Sequence, residues 1–312
     1  MYVTNVGFGM NIGIFDSGIG GLSVLHEAYH MLPSENYIFY ADTAHVPYGL
    51  KSPVEIESYA EEITKFLIDM GADAIVVACN TATSVAIKEL RHRYSLPIIG
   101  MEPAVKPAVE YVTRRILDGA FNRGTDIRNV SNEGVHSIKD AEDKGSRVLV
   151  MATPVTISEE KLRNLLLKVD KGHIVDLLPM PELVSFAESE EFESEKVEAY
   201  LTKQFGTVDV DSYSAVVLGC THFNYFKPLY GKYFKEGTAF IDGNHGTVSH
   251  VADVLGLNVA EGYDRTIHFN DVEEMALCGN TRYFASGVQV NDIPTLEHFR
   301  RLHNRLEEVR NI

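Results

Sequence analysis

Two cysteines in this chain stand in nearly the same surroundings. Residues 74–83 read AIVVACNTAT and residues 215–224 read AVVLGCTHFN, so an apolar run leads into Cys79 and again into Cys220. Each cysteine lies where a strand should end and a helix begin. The free N–H groups and the positive dipole end of a helix lower the pKa of a thiol from about 8.5. The sequence therefore predicts two thiols that ionise near neutral pH, although a lone cysteine at a strand end is more often a small buried apolar residue.

Two reactive thiols suit the inversion of a chiral carbon. Inversion removes a proton from one face of the carbon and returns a proton to the other, so the base and the acid exchange roles with the direction of reaction. Two groups of one kind fit that symmetry. We expect Cys79 and Cys220 to face each other across a cleft between two domains. The neighbouring donors for the carboxylates of an amino acid are Asn80, Thr81, Thr221 and His222.

Two further turns follow predicted strands. In FDSGIGGLSVL, Ser17 and the glycines predict an anion-binding nest of backbone N–H groups at a helix start. Asp16 would repel a phosphate there but would orient an ammonium group. In YADTAHVPYG, the pair Tyr48 and Gly49 can donate hydrogen bonds.

Apolar runs and helical patterns alternate along most of the chain. The predicted strands are NIGIF (11–15), YIFYA (37–41), AIVVA (74–78), LPIIGM (96–101), VLVMA (148–152), HIVDLL (173–178) and AVVLG (215–219). The predicted helices are Leu22 to Met31, Pro53 to Met70, Ala82 to Tyr94 and a closing amphipathic helix over residues 293–309. This alternation predicts α/β domains with parallel sheets, whose functional groups gather at the carboxyl ends of the strands.

The composition and net charge of the chain exclude several classes of function. A chain of 312 residues with 45% hydrophobic and 23% charged residues predicts about two globular domains. The formal net charge of −16 argues against binding to nucleic acid or to an anionic membrane. No segment approaches the ~20 apolar residues that span a bilayer, and the N-terminal stretch has no signal-peptide pattern, so we expect a cytoplasmic protein. Three cysteines form no CxxC zinc pattern.

Five motifs in order resemble those of the cofactor-independent glutamate racemases, of the aspartate/glutamate racemase superfamily. They are FDSGIGG, DTAHVPYG with the following KS, VVACNTAT, IGMEPAV and LGCTH. The resemblance covers residues 11–312. It implies interconversion of L- and D-glutamate by two-base proton transfer, with D-glutamate used in peptidoglycan. It also implies that no pyridoxal phosphate or metal is needed and that the protein is a homodimer.

The resemblance assigns roles to individual residues. Cys79 and Cys220 match the catalytic cysteines, of which the first takes the proton from D-glutamate and the second from L-glutamate. Asp16 is implied to assist the first thiol and His222 the second. The implied substrate contacts are Asp16, Ser17, Tyr48, Gly49, Asn80, Thr81, Thr153, Glu182, Thr221 and His222, with Thr156 as a weaker one.

The implied fold is two pseudo-symmetric, doubly wound parallel-sheet domains facing a central cleft. The expected first domain combines residues 1–101 and 242–312, and the second spans residues 102–241. The polar segment 118–146 is predicted to be a long surface loop inserted in the second domain. The chain also departs from the family pattern after GCTH, where Phe223-Asn224-Tyr225 replace the usual tyrosine and proline. Without a long N-terminal extension, we do not expect activation by a peptidoglycan precursor.

Three other patterns in the sequence resemble functional motifs of different classes. HEAYH, from His26 to His30, satisfies the H-E-x-x-H zinc motif, but no third ligand lies nearby in sequence, so two histidines at the rim of a helix are expected. The segment SGIGGLS followed by Asp42 resembles a dinucleotide-binding fingerprint. A serine stands at its third glycine position, and Asp16 lies where the pyrophosphate charge would accumulate, so a dinucleotide site is not expected. A cysteine hydrolase using Cys220 and His222 leaves Cys79 unexplained, and residues two apart rarely form a good thiol–imidazole pair. Cys278 is expected to be structural or simply exposed.

Two alternatives to glutamate racemisation stay open. One is racemisation of another acidic amino acid by the same two thiols. The other is a non-catalytic amino-acid-binding or regulatory protein on the same scaffold, because a fold does not fix a function.

Overall fold

The computed structural model describes residues 9–101, 103–122, 146–261 and 266–312, with only the backbone of residues 119–122. The strands are β1 (Asn11–Asp16), β2 (Asn36–Ala41), β3 (Ala74–Val77), β4 (Ile98–Gly100), β5 (Arg147–Ala152), β6 (Val175–Pro179), β7 (Tyr213–Leu218), β8 (Ala239–Asp242), β9 (Arg282–Ala285) and β10 (Val288–Gln289). The helices are α1 (Leu22–Met31), α2 (Pro53–Asp69), α3 (Asn80–Arg93), α4 (Val105–Asn122), α5 (Pro154–Ser158), α6 (Glu160–Val169), α7 (Leu183–Glu188), α8 (Glu195–Phe205), α9 (Lys227–Tyr230), α10 (Asn244–Leu255), α11 (Val272–Leu277) and α12 (Ile293–Val309).

The chain divides into two compact units. The first takes the chain up to Met101 and resumes over Asn244–Asn311, and the second is Glu102–Gly243. The first unit holds a sheet of order β10-β9-β2-β1-β3-β4, parallel throughout except for the β9–β10 pair. The second unit holds a fully parallel sheet of order β6-β5-β7-β8. The predicted α/β class with parallel sheets is therefore confirmed.

The two sheets repeat one strand order. The run β2-β1-β3-β4 in the first unit corresponds to β6-β5-β7-β8 in the second. Strand β3 thus has the same place in its sheet as β7, and β1 the same place as β5. One residue separates each cysteine from its strand: Ala78 lies between β3 and Cys79, and Gly219 lies between β7 and Cys220. The two cysteines that the sequence pairs by context therefore also occupy equivalent topological positions.

Central strands are apolar because both of their faces are covered. All four residues of β3 and all six of β7 are buried, as expected for parallel strands packed between helices. In the second unit, α4 and α6 pack on the sheet. The apolar core there comprises Ala104, Val105, Ala108, Val112, Val148, Val150, Leu162, Ala215 and Val217. This packing positions the ends of the strands, where the candidate site residues lie.

The seven predicted strands, the three helices between them and the closing helix are all present. Three short strands were missed, namely β8, β9 and β10, because none is a long apolar run. Helix α4 continues to Asn122, so the prediction of a loop is wrong for residues 118–122. Residues 123–145 of that predicted insertion lie outside the described residues. Among the helices of the described ranges, none is both long enough and apolar enough to cross a membrane.

Candidate active site

Cys79 is the N-cap residue of α3. Its backbone is extended, and its sulfur accepts a hydrogen bond from the Ala82 N–H at 3.4 Å. The side chain is buried, with 6% of the residue exposed. A peptide N–H directed at the sulfur, at the positive end of a helix of 14 residues, stabilises negative charge there. The predicted helix start behind the first thiol is present.

Ser17 and Asp16 lie next to this thiol in the first unit. The Cys79 S–H is directed at Ser17 Oγ at 3.7 Å, and the Ser17 hydroxyl donates to Asp16 Oδ1 at 3.1 Å. The same carboxylate oxygen accepts the Gly18 N–H at 3.1 Å. Both side chains are buried. Strand β1, which ends at Asp16, pairs with β3, so sheet pairing brings Asp16, Ser17 and Cys79 to the same edge.

Asn80 and Thr81 open α3 directly after the thiol and are both buried. The Asn80 side-chain oxygen is notable, because it has no hydrogen-bond partner within the described part of the chain. Buried polar atoms are nearly always paired in native proteins. A buried acceptor of this kind, next to the Cys79 thiol in the chain, is suited to receive an N–H donor such as an ammonium group.

The Tyr48 side chain is committed to the protein interior. Its hydroxyl donates to Asp42 Oδ2 at 2.6 Å, and Asp42 also contacts His45 Nδ1 at 2.9 Å. Burial, together with the Asp42 carboxylate, raises the pKa of Tyr48 far above its ordinary value. The hydroxyl is therefore not available as a proton donor to a ligand. Any contact from Tyr48 and Gly49, which lie in a 3₁₀ turn, comes from the backbone N–H groups.

Cys220 has different surroundings. It precedes a 3₁₀ helix, Thr221–Phe226, so the expectation of an α-helix start behind both thiols is wrong for the second. The Cys220 sulfur lies 3.7 Å from His222 Nδ1, and the two residues are 7% and 1% exposed. A thiol and an imidazole two residues apart therefore do pair here. The extended backbone of Cys220 followed by a tight turn directs both side chains the same way.

Glu188 completes this pair and was missed from the sequence. Its Oε1 lies 2.7 Å from His222 Nε2. Burial alone would lower the pKa of His222, but its hydrogen bonds to Cys220 and Glu188, with their charges, raise that pKa well above 6.5. The imidazole is thus cationic near neutral pH and donates from both ring nitrogens. It holds a proton next to the Cys220 sulfur and stabilises the thiolate.

The resemblance implies Glu182, at the other end of the same helix, as a substrate contact. Glu182 precedes α7 and its side chain is exposed, whereas Glu188 is the last residue of α7, which packs against Thr221–Phe226. The structure therefore does not bring Glu182 to the His222 imidazole. The helical spacing of the buried residues Leu183, Val184 and Ala187 was the available signal, because it puts Glu188 beside the packed face.

Thr153 follows β5, the strand beside β7, and is the N-cap of α5. Its Oγ1 accepts the Thr156 N–H at 3.3 Å and donates to Thr156 Oγ1 at 3.0 Å. Thr153, Thr156 and Thr221 are buried. The second unit thus gathers hydroxyl groups at the strand ends where Cys220 lies, as the first unit gathers Ser17 and Asn80 around Cys79.

The chain is similar to known racemases over most of its length. A family model described as Asp/Glu/Hydantoin racemase matches residues 21–117. The chain is 46% identical over 261 residues to a glutamate racemase of Campylobacter curvus, covering 83% of this chain and 89% of the relative. It is 41% identical over 303 residues to a glutamate racemase of Lachnospira eligens, covering 97% and 100%. The crystal structure of glutamate racemase from Campylobacter jejuni superposes with a TM-score of 0.64 at 26% identity, covering 94% and 97%.

Proposed function

Because this chain belongs to the glutamate racemase family, we propose that it interconverts L- and D-glutamate by proton transfer at the α-carbon, with Cys79 and Cys220 as the two acid–base groups. The observation that carries this proposal is the equivalent placement of two buried thiols. Each follows the corresponding strand of two sheets with one strand order. A reaction that inverts one carbon needs two such groups.

Cys79 and Cys220 have different roles because different side chains surround the two thiols. Cys79 removes the proton from D-glutamate, supported by the Ala82 N–H and by the hydrogen-bonded pair of Ser17 and Asp16. Cys220 removes the proton from L-glutamate, and the His222 cation beside it stabilises the thiolate that does so. Glu188, rather than Glu182, holds His222 in place. The proposal requires both sulfurs to reach opposite faces of the same α-carbon.

Substrate binding relies on short-range donors. A protein of net charge −16 offers no long-range attraction to dianionic glutamate. The carboxylates are bound instead by hydroxyl and backbone N–H groups of the strand-end turns, from Ser17, Gly49, Thr81, Thr153 and Thr221. The substrate ammonium group is received by the Asn80 side-chain oxygen. These donors also stabilise the charge that develops when the weakly acidic α-proton leaves.

The proposal also covers the compartment, the oligomeric state and the use of the product. We infer a cytoplasmic homodimer that supplies D-glutamate for peptidoglycan, and family membership is the support for this setting. The reaction needs no pyridoxal phosphate and no metal ion, since thiols, donors and a desolvated site suffice for direct proton transfer.

The test is racemisation of pure enantiomers. L-glutamate and D-glutamate are incubated separately with the protein and followed by circular dichroism, with aspartate in parallel. Both glutamate enantiomers should converge on an equal mixture, faster than aspartate does. Cys79→Ser and Cys220→Ser should each lower the rate by roughly 10²–10⁴-fold or more, the usual worth of a positioned acid or base. Cys278→Ser, at the partly exposed third cysteine, is the matched control and should keep the rate. Absence of racemisation by the parent protein, or a preference for aspartate, contradicts the proposal.

A further inference from the structure

Four polar side chains meet where α1 packs against α12 in the first unit. His26 and His30 lie one turn apart on α1, and His303 and Glu307 lie one turn apart on α12. Glu307 Oε2 is 2.8 Å from His26 Nε2 and 2.9 Å from His30 Nε2. The side chains of His26 and His30 are 4% and 0% exposed, and that of Glu307 is 9% exposed. The expectation of two histidines at a helix rim is therefore wrong.

We propose that His26, His30 and Glu307 form a binding site for a divalent transition-metal ion, Zn²⁺, which joins α1 to α12. Two imidazole nitrogens and one carboxylate oxygen are a ligand set that zinc takes in proteins. The three ligand atoms already lie within 4.8 Å of one another. Zinc bonds of about 2.0–2.1 Å in tetrahedral geometry separate ligand atoms by roughly 3.3 Å, so a small opening of the cluster accommodates the ion. Water takes the fourth position.

The H-E-x-x-H spacing provides two of the ligands, and the fold provides the third. Residues four apart on a helix share one face, so both Nε2 atoms of α1 point toward α12. Glu307 lies 281 residues after His26, so no local sequence pattern connects it with the H-E-x-x-H motif. Its own signal in the sequence is the pair His303 and Glu307, spaced by four on the closing helix.

His303 occupies the position of an outer partner. Its Nδ1 lies 3.2 Å from His26 Nδ1, and its Nε2 lies 3.5 Å from the Tyr283 hydroxyl. Metal-bound histidines usually donate their second N–H to such a partner, which fixes the ring. With the ion on His26 Nε2, the ring proton of His26 resides on Nδ1 and is donated to His303 Nδ1. The His303 proton then resides on Nε2, toward Tyr283, so the ring protons of His26 and His303 both have acceptors.

Without an ion, the same atoms make two hydrogen bonds. Each histidine then donates Nε2–H to Glu307 Oε2. Binding of zinc replaces these two hydrogen bonds with three metal–ligand bonds and moves each ring proton from Nε2 to Nδ1. The ion-free cluster is therefore preorganised, since the ligand atoms converge before the metal arrives.

The site is structural rather than hydrolytic. In zinc proteases the glutamate after the first histidine is the base for a metal-bound water. Here Glu27 Oε1 lies 3.1 Å from His245 Nδ1 and its Oε2 lies 3.5 Å from Arg310 Nε. Both oxygens are thus directed at a histidine and an arginine outside the cluster. An ion bound only by the folded state stabilises it by mass action, here by linking an early helix to the last one.

The experiment uses Co²⁺ as a spectroscopic probe in a full-length Cys79→Ser/Cys220→Ser protein, so that active-site thiolates do not bind the metal. One cobalt ion per chain should produce visible d–d absorption without a thiolate charge-transfer band. Zn²⁺ should displace it and raise the melting temperature. Glu307→Gln should weaken cobalt binding by about 100-fold or more, beyond the roughly 10–100-fold that loss of an outer partner costs.

The control variants distinguish this site from nonspecific binding of cobalt to surface histidines. His30→Gln should weaken binding as Glu307→Gln does, and it serves as the second variant if Glu307→Gln does not fold. His250→Gln removes an exposed histidine of α10 and should leave binding unchanged. The proposal is overturned if the parent protein binds no stoichiometric cobalt. It is also overturned if the folded ligand variants bind it as tightly as the parent.

Discussion

Glu188 Oε1 lies 2.7 Å from Nε2 of His222, whose other ring nitrogen faces the Cys220 sulfur at 3.7 Å. This contact makes the surroundings of the two thiols chemically unlike. The Cys79 sulfur accepts a helix N–H and its S–H is directed at the Ser17 oxygen, whereas the Cys220 sulfur faces a charged imidazole held by a carboxylate. Equivalent strands thus present equivalent thiols with different partners.

The first prediction concerns this carboxylate. Glu188→Gln keeps the shape but removes the charge, and a hydrogen bond to a charged group contributes about 1.5–3 kcal/mol. We expect kcat/KM to fall roughly 10–100-fold. The fall must be equal in both directions, because the two glutamate enantiomers have equal free energy. The matched control is Glu182→Gln at the exposed end of α7, which should retain the parental rate; equal losses in the two variants would contradict the assignment.

The second prediction concerns the pH dependence of stability. The pKa of His222 is raised in the folded state, so its protonation stabilises the fold fully below the unfolded pKa of about 6.5. That contribution is lost as pH rises through the folded pKa, by up to about 1.4 kcal/mol per pH unit. The free energy of unfolding of the parent minus that of His222→Asn should therefore be largest near pH 6 and shrink toward pH 9. Urea titrations at several pH values measure it, and a difference that grows with pH would refute the charged imidazole.

The third prediction concerns the glycine before the second thiol. A Cβ at Gly219 would lie 2.7 Å from the Met151 carbonyl oxygen and 3.1 Å from Ala152 Cβ. Gly219→Ala should cost about 1–3 kcal/mol of stability and shift the Cys220 sulfur, with a loss of activity on the order of 10²-fold. Gly246→Ala in α10 is the control, because a Cβ there meets nothing within 4 Å. It should stabilise the protein by about 0.4–1 kcal/mol at unchanged activity.

The fourth prediction concerns the unpaired oxygen of Asn80. Asn80→Leu has a similar volume and removes a buried acceptor that has no partner in the described residues, so stability should rise by about 1 kcal/mol or more. The same change should lower kcat/KM for glutamate roughly 10–100-fold, since the ammonium group loses its acceptor.

Thr64→Val provides the comparison, because Thr64 Oγ1 in α2 is likewise buried without a partner in the described ranges. It should stabilise the protein without changing kcat/KM. Chemical denaturation and initial rates measure both effects. A fall in stability for Asn80→Leu at unchanged kcat/KM would show that the oxygen serves the fold and not the substrate.

Local features of the sequence predicted most of the fold. Apolar runs of four to six residues identified the strands that carry Cys79 and Cys220, because parallel strands buried on both faces must be apolar throughout. The short strands β8 and β9 were not predicted, since each is only partly buried and pairs at or near a sheet edge. Burial on one side leaves no continuous apolar signal.

The sequence was less informative about contacts between distant segments. The contact between Ser17 and Cys79 was not predicted, but it follows from the pairing of β1 with β3, which brings the two strand ends side by side. The carboxylate of Glu188 comes from a helix 34 residues before His222, and only the packing of α7 on the Thr221–Phe226 turn brings it there. Glu307 joins His26 and His30 in the same way, through the packing of α12 on α1. Such pairs depend on how helices dock, which periodicity within one segment does not encode.

The central claim, two thiols acting on opposite faces of one carbon, is tested most directly by isotope transfer in D₂O. Protiated L-glutamate is converted to low extent, and the deuterium at Cα is measured separately in D-glutamate and in the remaining L-glutamate. The account predicts D-glutamate carrying deuterium from the first turnovers, while the unconverted L-glutamate keeps its protium, and the mirror result from D-glutamate. Product that retains the original proton would mean that a single base serves both faces, and would contradict the account.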